Sequence, residues 1–563
     1  MMKETFFYRK GVVTLKKHGS FLVIFMIAIL FVLPHIFTQN LIIGADSIFH
    51  YNRFYETAEQ IKHGNFNYFL SLYGFQQSGR IVNAVYGPIF AYLQGFVVLI
   101  AGSWFHYQIL SNFLLYLISG ASMLGLLRYA GVRDRISLPI SIIFMGTYSI
   151  QYWVINQGFT SWGTSILPLC LIPIVDMVMK KRYPVIKTAI SVAVMTQIHL
   201  LSTVMLVLIY LPFYLYLFFT ETEKGQLLKQ TALSILLDLA LSANIWAGLW
   251  VAYSGNDIQK PFVNLEMSEK AIDLNGSYWL IYPGILPLVI LSGILIFIYF
   301  WKHWTPFVRL LFGTSIFFLI LSTSLIPWTY LVKHDVPFVR LIQFPFRFFV
   351  PFTVLFLFFF AFAAERINAR KWLCAGLFLF SLVSIVQTVG TLSYHLDQWD
   401  SKKFVSKHTY LFESADDTRA TFHQKDLSAM LTALQKATPD YLPIYEQNKK
   451  NKYYRYTEEV LDHEKEFNKT VDHGNLTITW NGEEEKEIHV PVIKYTRTEL
   501  YDGNKKLEDV AVTDIGNPII QQKIGKNQLT LDFHTPSYFY ILLALTFFTW
   551  FGLFIYLLYR LFF

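Results

Sequence analysis

Long apolar runs broken by short basic clusters pattern the first 391 residues, and one more such run closes the chain. Many of them reach the roughly 18–20 residues that cross a hydrocarbon layer as helix. The first run, 21–37, follows Lys16-Lys17-His18 and lacks a small-residue cleavage site, so it reads as a retained helix rather than a signal peptide. Positive residues stay on the cytoplasmic side and therefore orient the runs. Lys3, Arg9, Lys10, Lys16 and Lys17 put the N-terminus inside. Arg128/Arg133/Arg135, Lys180/Lys181/Arg182, Lys224/Lys229, Lys302/Arg309 and Arg366/Arg370/Lys371 mark later returns to that side. Residues 39–83 then form a first outer loop. Runs 84–101 and 107–128 leave room for one crossing before Arg128. The first of them, with Gly87-Pro88 and Gly95, is expected to be re-entrant or interface-lying. Stretch 183–219 calls for two short helices meeting near Gln197-Ile198-His199 on the outer side. About twelve crossings result.

Between 392 and 535 the pattern changes to alternation. Leu476/Ile478/Trp480, Val490/Val492 and Leu529/Leu531/Phe533 each step by two, as strands do. Asn481-Gly482 and Gly525 supply turn chemistry between them, and 426–437 reads as one short helix. The expected fold is mainly α. A polytopic membrane domain (1–391) is followed by a small extracellular α+β or β-sandwich module (392–535) and a final crossing (536–563).

Composition agrees with a membrane chain. Of 563 residues, 54% are apolar and 15% charged, against roughly 25% charged in soluble proteins. The net charge of +8 sits in the clusters that set topology, so it argues for no nucleic-acid partner. Cys170 and Cys374 each lie in an apolar run, too few for a metal cluster or a disulfide framework.

Polar residues pressed against membrane segments carry the chemical information, because burying them is costly. In Gly44-Ala-Asp-Ser-Ile-Phe-His-Tyr-Asn-Arg53, a helix would align Asp46, His50 and Arg53 on one face. A carboxylate, an imidazole and a guanidinium together can activate a hydroxyl and hold a phosphate. The competing reading is an amphipathic helix with a solvated polar face, which Glu56 and Glu59 would continue. In Gln343-Phe-Pro-Phe-Arg347, the arginine behind a proline is either an anchor snorkelling to headgroups or a phosphate clamp. His199 sits at the turn of the short helix pair, where a structural role competes with a site role. The loop from Gln157 to Gly163 contains Trp162 at interface depth and is either a substrate contact or a connector. There is no phosphate-binding glycine loop with Lys-Ser/Thr, no HExxH, no GxSxG and no CxxC. Cytoplasmic loops are too short for a nucleotide-binding domain, so any chemistry lies outside, with a lipid-carried donor.

The Asp46-xxx-His50 element, Gln343-Phe-Pro-Phe-Arg347, Asp440-Tyr-Leu-Pro443 and the strand-rich tail resemble the YfhO-like bacterial membrane proteins. They also resemble the group called 6-pyruvoyl-tetrahydropterin synthase-related, both within the GT-C superfamily of polyprenyl-phosphate-sugar glycosyltransferases. The resemblance spans nearly the whole chain. It implies inverting transfer of a sugar from a polyprenyl-phosphate donor to a cell-envelope glycopolymer, glycolipid or protein at the outer face of a bacterial plasma membrane. By the same resemblance, Asp46 is general base or ligand to Mg or Mn, with His50 and His199 as helpers. Arg347, Arg53 and Gln343 would hold the donor phosphate, and His199, Gln157, Trp162 and Tyr86 would line the substrate site, the re-entrant segment with Tyr86 and Pro88 forming a floor under which the lipid tail enters. No Asp-Glu or Asp-x-Asp pair stands beside Asp46, and Glu56, Glu59 and Asp257 are weak substitutes. Two other classes compete: a lipid or glycan transporter or flippase, and a non-catalytic envelope assembly protein whose outer module binds polymer.

Overall fold

A computed structural model describes residues 2–259, 262–272, 281–367, 371–401, 404–405, 410–446 and 451–562. The chain is mainly helical, and the described residues hold eight helices long and apolar enough to cross a membrane. A ninth span arises if Lys224–Leu241 and Ala243–Tyr253, bent by 63° at their junction, are counted as one. Shorter apolar helices are Pro88–Ala101, Val185–Ile198, Leu286–Tyr299 and Pro306–Ser322.

Helix composition decides position in the bundle. The run from Phe349 to Ala364 is apolar on every side, and a helix of that kind has no face for water or headgroups. It therefore lies at the centre, packed on Pro306–Ser322, with span Pro345–Arg366 83% buried. The last span, Ser537–Arg560, is only 11% buried and turns most of its surface outward. At one end of Trp104–Tyr129, Trp104 Nε1 donates to the Leu427 carbonyl at 2.9 Å. At the other end, about 39 Å away for 26 residues, Arg128 pairs with Asp134 at 2.6 Å. The segment that begins at Leu427 thus meets one end of this helix, and a basic residue marks the other.

Near the C-terminus, five antiparallel strands lie in the order Asn468–Asp472, Asn475–Gly482, Gly525–Phe533, Thr498–Asp502, Lys505–Lys506. Leu476 pairs with Leu531 and Ile478 with Leu529, all four buried on one face. That face shares one core with Tyr456, Val460, Val492 and Ile515 of the same region and with Phe69, Leu70, Leu72 and Ile81 of the first loop and Val251. The segment at 410–434 joins the bundle core instead, through Tyr410, Met430 and Leu434. Asn481-Gly482, expected as a turn, continues the strand and pairs with Lys526 and Gly525. The glycine is needed for contact, since a Cβ there would stand 2.3 Å from the Lys523 carbonyl oxygen. Helix 426–437 is shorter than expected, Leu427–Ala433, with Asp426 capping it through the Ser428 amide.

Candidate functional site

The site is built around the start of helix Ser47–His63, whose polar face is buried rather than solvated. Arg53 is 0% exposed, Glu56 1% and His50 2%. The amphipathic-helix reading is therefore set aside, for a physical reason: aromatic side chains from distant segments cover that face. Rings of Tyr86, Trp153 and Phe159 stand 6.0, 5.5 and 4.9 Å from the His50 ring.

Asp46 occupies the cap position of this helix, its carbonyl accepting from the His50 amide at 3.1 Å. Its carboxylate makes no capping bond to the helix. It lies within electrostatic reach of Tyr86, Tyr152, Tyr410 and Arg347. The turn that carries Asp46 is clamped from three sides. Gln157 Oε1 accepts from the Gly44 amide at 2.7 Å and the Ser47 hydroxyl at 2.5 Å. The Tyr410 hydroxyl donates to the Gly44 carbonyl, and Lys436 Nζ to the Ala45 carbonyl. Both ends of the Gln157 amide are thus engaged, its Nε2 on the Ile42 and Val154 carbonyls, which makes it a positioning residue. A Cβ on Gly44 would lie 2.3 Å from the Asn156 Cα, so only glycine fits. Gly44→Ala should cost about 1–3 kcal/mol as overpacking. The melting temperature of the variant checks this.

Arg53 organises the floor. Its Nε donates to Asn83 Oδ1 at 3.1 Å, Nη1 to His50 Nδ1 at 3.1 Å, and Nη2 to the Tyr86 carbonyl. The guanidinium lies 4.4 Å from the Tyr86 ring centroid and 5.0 Å from that of Phe159, so ring faces replace part of its hydration. Burial lowers its pKa to about 10 and raises the Tyr86 phenol to about 12. Because arginine only donates, His50 Nδ1 accepts and the imidazole proton sits on Nε2. Burial, and then Arg53, push His50 well below the ordinary histidine range. His50 is therefore a neutral donor through Nε2, and a general-base role would require breaking its bond to Arg53.

That state has a pH signature. Below pH 6.5 the unfolded chain takes a proton at this histidine and the folded chain does not, so stability falls as pH drops. The slope is at most about 1.4 kcal/mol per pH unit. His50→Gln should flatten the decline in melting temperature between pH 6.5 and 5 relative to the wild type.

The second guanidinium comes from the mouth of the central helix. Arg347 Nη1 donates to the Ile342 carbonyl at 3.0 Å and to Gln343 Oε1 at 2.8 Å. Gln343 Nε2 in turn donates to the Phe262 carbonyl at 2.6 Å, so this amide holds Arg347 rather than a ligand. Arg347 Nε is buried and has no partner among the described residues. The side chain lines two cavities of about 20 Å³ each, water-sized, one with Thr160 and Ser202 and the other with Tyr148 and Tyr152.

His199 marks the break between Val185–Ile198 and Leu200–Thr220, its Nδ1 2.9 Å from the Ser202 hydroxyl. Its ring stands 5.9 Å from Tyr86, within electrostatic reach of Arg53 and Arg347. Trp162 is 2% exposed against Phe90 and Trp153, inside the bundle rather than at the interface. Glu56 is unavailable as a second acid: it accepts from the Leu72, Tyr73 and Gly74 amides at 2.7–2.9 Å and orders that loop. Glu59 pairs with Lys62 and His63.

The second carboxylate arrives from elsewhere. Asp440 lies within electrostatic reach of Tyr86, Lys436 and Arg80, and burial raises its pKa. Tyr453 feels both Asp46 and Asp440, and Tyr441 puts its ring 6.4 Å from Tyr86. The Asp440-Tyr-Leu-Pro443 motif was the signal in the sequence, but nothing local placed it beside Asp46. Among the described residues no three His, Cys, Asp or Glu side chains gather into a group that would hold Mg or Mn. Comparison of the chain with protein-family models gives no match, and neither does comparison with curated proteins.

Proposed function

We propose that the protein is an inverting glycosyltransferase of GT-C-like architecture, moving a sugar from a polyprenyl-phosphate donor to a cell-envelope acceptor. One observation carries the reading. The half-buried Asp46 carboxylate lies within electrostatic reach of Arg347, a guanidinium whose buried Nε has no partner among the described residues. Asp46 takes the proton of the acceptor hydroxyl as that oxygen bonds to the anomeric carbon. The bond from that carbon to the phosphate oxygen breaks, and its electron pair stays with the lipid phosphate. Arg347 stabilises the charge that develops there, worth a few kcal/mol at low dielectric. Arg53, His50, Gln157 and Gln343 keep the two groups in place.

In this reading the site faces outward at a bacterial plasma membrane. Twelve crossings follow if the bent pair, Val185–Ile198, Leu286–Tyr299 and Pro306–Ser322 all join the eight long spans. Pro88–Ala101, 14 residues long and packed on the Asp46 helix, then lies at the interface. The test is release of free lipid phosphate by purified protein in lipid, across a panel of polyprenyl-phosphate sugars with acceptors supplied. Equal background release from wild type and Asp46→Asn would sink the proposal.

The bent pair Lys224–Leu241 and Ala243–Tyr253 favours a second reading, transport, since broken helices carry transporter sites. Movement of labelled lipid across vesicles without bond cleavage would select it.

A further inference from the structure

A cleft of about 560 Å³ opens where the sheet meets the last membrane helix, away from Arg347 and the Asp46 turn. Its lower wall is Phe539, Tyr540, Leu543 and Phe547 of helix Ser537–Phe562. Phe547 lies ten residues past Ser537, about 15 Å at 1.5 Å per residue, which is half of a roughly 30 Å hydrocarbon layer. The cleft itself follows the helix from Phe539 to Phe547, about 12 Å, which is within one leaflet's thickness. Tyr540 and Phe547 are 59% and 58% exposed and turn toward the lipid-facing side of that helix.

The upper wall is polar and differs from the phosphate-holding end of the site. Asn475, Asp532 and Thr535 line it, with Phe66, Tyr68 and Tyr92 as ring surfaces. Asp532 spends one oxygen on the Phe533 amide at 2.7 Å. Carboxylate, amide and hydroxyl groups beside aromatic faces suit sugar hydroxyls and the apolar faces of a pyranose. No lysine or arginine is among the lining residues, the lining His473 has Asp472 3.6 Å from its Nε2, and Asp532 would repel a phosphate. Pro88 also lines the cleft, two residues from Tyr86, so a headgroup held here reaches toward the site.

We infer that this cleft seats an uncharged glycolipid, with its chains along the last helix and its sugar between Asn475 and Asp532. As the seat of the acceptor, the inference rests on the transferase reading; as a binding site it stands alone.

The experiment uses the full chain in phosphatidylcholine nanodiscs doped with diglucosyl diacylglycerol or with phosphatidylglycerol, scoring lipid retained by native mass spectrometry. The neutral glycolipid should be retained about tenfold better than phosphatidylglycerol. Leu543→Trp, which fills the lower wall, and Asn475→Ala, which removes a headgroup partner, should each abolish that preference. Equal or better retention of phosphatidylglycerol overturns the inference, as does a preference that survives both substitutions in folded protein. Turnover separates the two proposals. Glycolipid retention without any sugar transfer keeps the cleft and removes the transferase. Undiminished transfer to glycolipid in Leu543→Trp keeps the transferase and removes the cleft.

Discussion

Asp46→Asn should reduce release of lipid phosphate by about 10²–10⁴-fold, the range for loss of a positioned general base, while the protein stays folded. The amide is isosteric, and the turn around it is held by bonds that the substitution leaves in place. Gln157, Tyr410 and Lys436 hold that turn through the backbone and Ser47. Melting temperature should therefore stay close to that of the wild type. A structural carboxylate would behave differently, with turnover and stability falling together. The sharper control is Asp440→Asn. Asp440 is half-buried within electrostatic reach of Arg80 and Lys436, so its loss should weaken turnover less and leave Asp46 in place. If Asp440→Asn abolishes turnover and Asp46→Asn does not, the base assignment must be exchanged.

The membrane character of the chain and the strands of its tail were legible because both rest on periodicity. Apolar runs of helix length gave spans, and steps of two gave Leu476, Ile478, Leu529 and Leu531, which the sheet pairs and buries, whereas Val490 and Val492, read the same way, are buried just past the end of strand Glu487–His489. Spacing also put His50 and Arg53 on one helix face, where they are hydrogen-bonded. What spacing could not show was whether that face meets water. Its cover comes from Tyr86, Trp153 and Phe159, which no local pattern ties to it. The roles of amides were hidden for a related reason. Gln157 and Gln343 looked like ligand contacts, yet each spends its hydrogen bonds on backbone or on a charged neighbour. Glu56 looked like a spare acid until the amides of 72–74 closed on it. Asn481-Gly482 shows that turn composition is weaker than register: the pair lies in a strand because its partners at 525–526 are in phase.

Arg347→Ala should lower kcat by about 10²–10³-fold, the scale for removing one preorganised donor from a charge-developing site, with a smaller change in KM. The loss traces to Nε, the buried donor that has no partner among the described residues. Burying a polar group unpaired costs about 1–3 kcal/mol, and a ligand oxygen that completes it recovers that cost. Arg347→Lys discriminates between the two readings of this residue. An anchor that only snorkels to headgroups is served as well by lysine, so turnover would persist. A guanidinium held by Gln343 and the Ile342 carbonyl to aim Nε is not, because lysine lacks both the fork and that donor. Arg347→Lys should therefore remain within about tenfold of Arg347→Ala. Gln343→Ala should fall between Arg347→Ala and the wild type, since it frees the guanidinium without removing it. Full activity of Arg347→Lys would return the residue to the role of anchor and leave the donor phosphate to be held by another group.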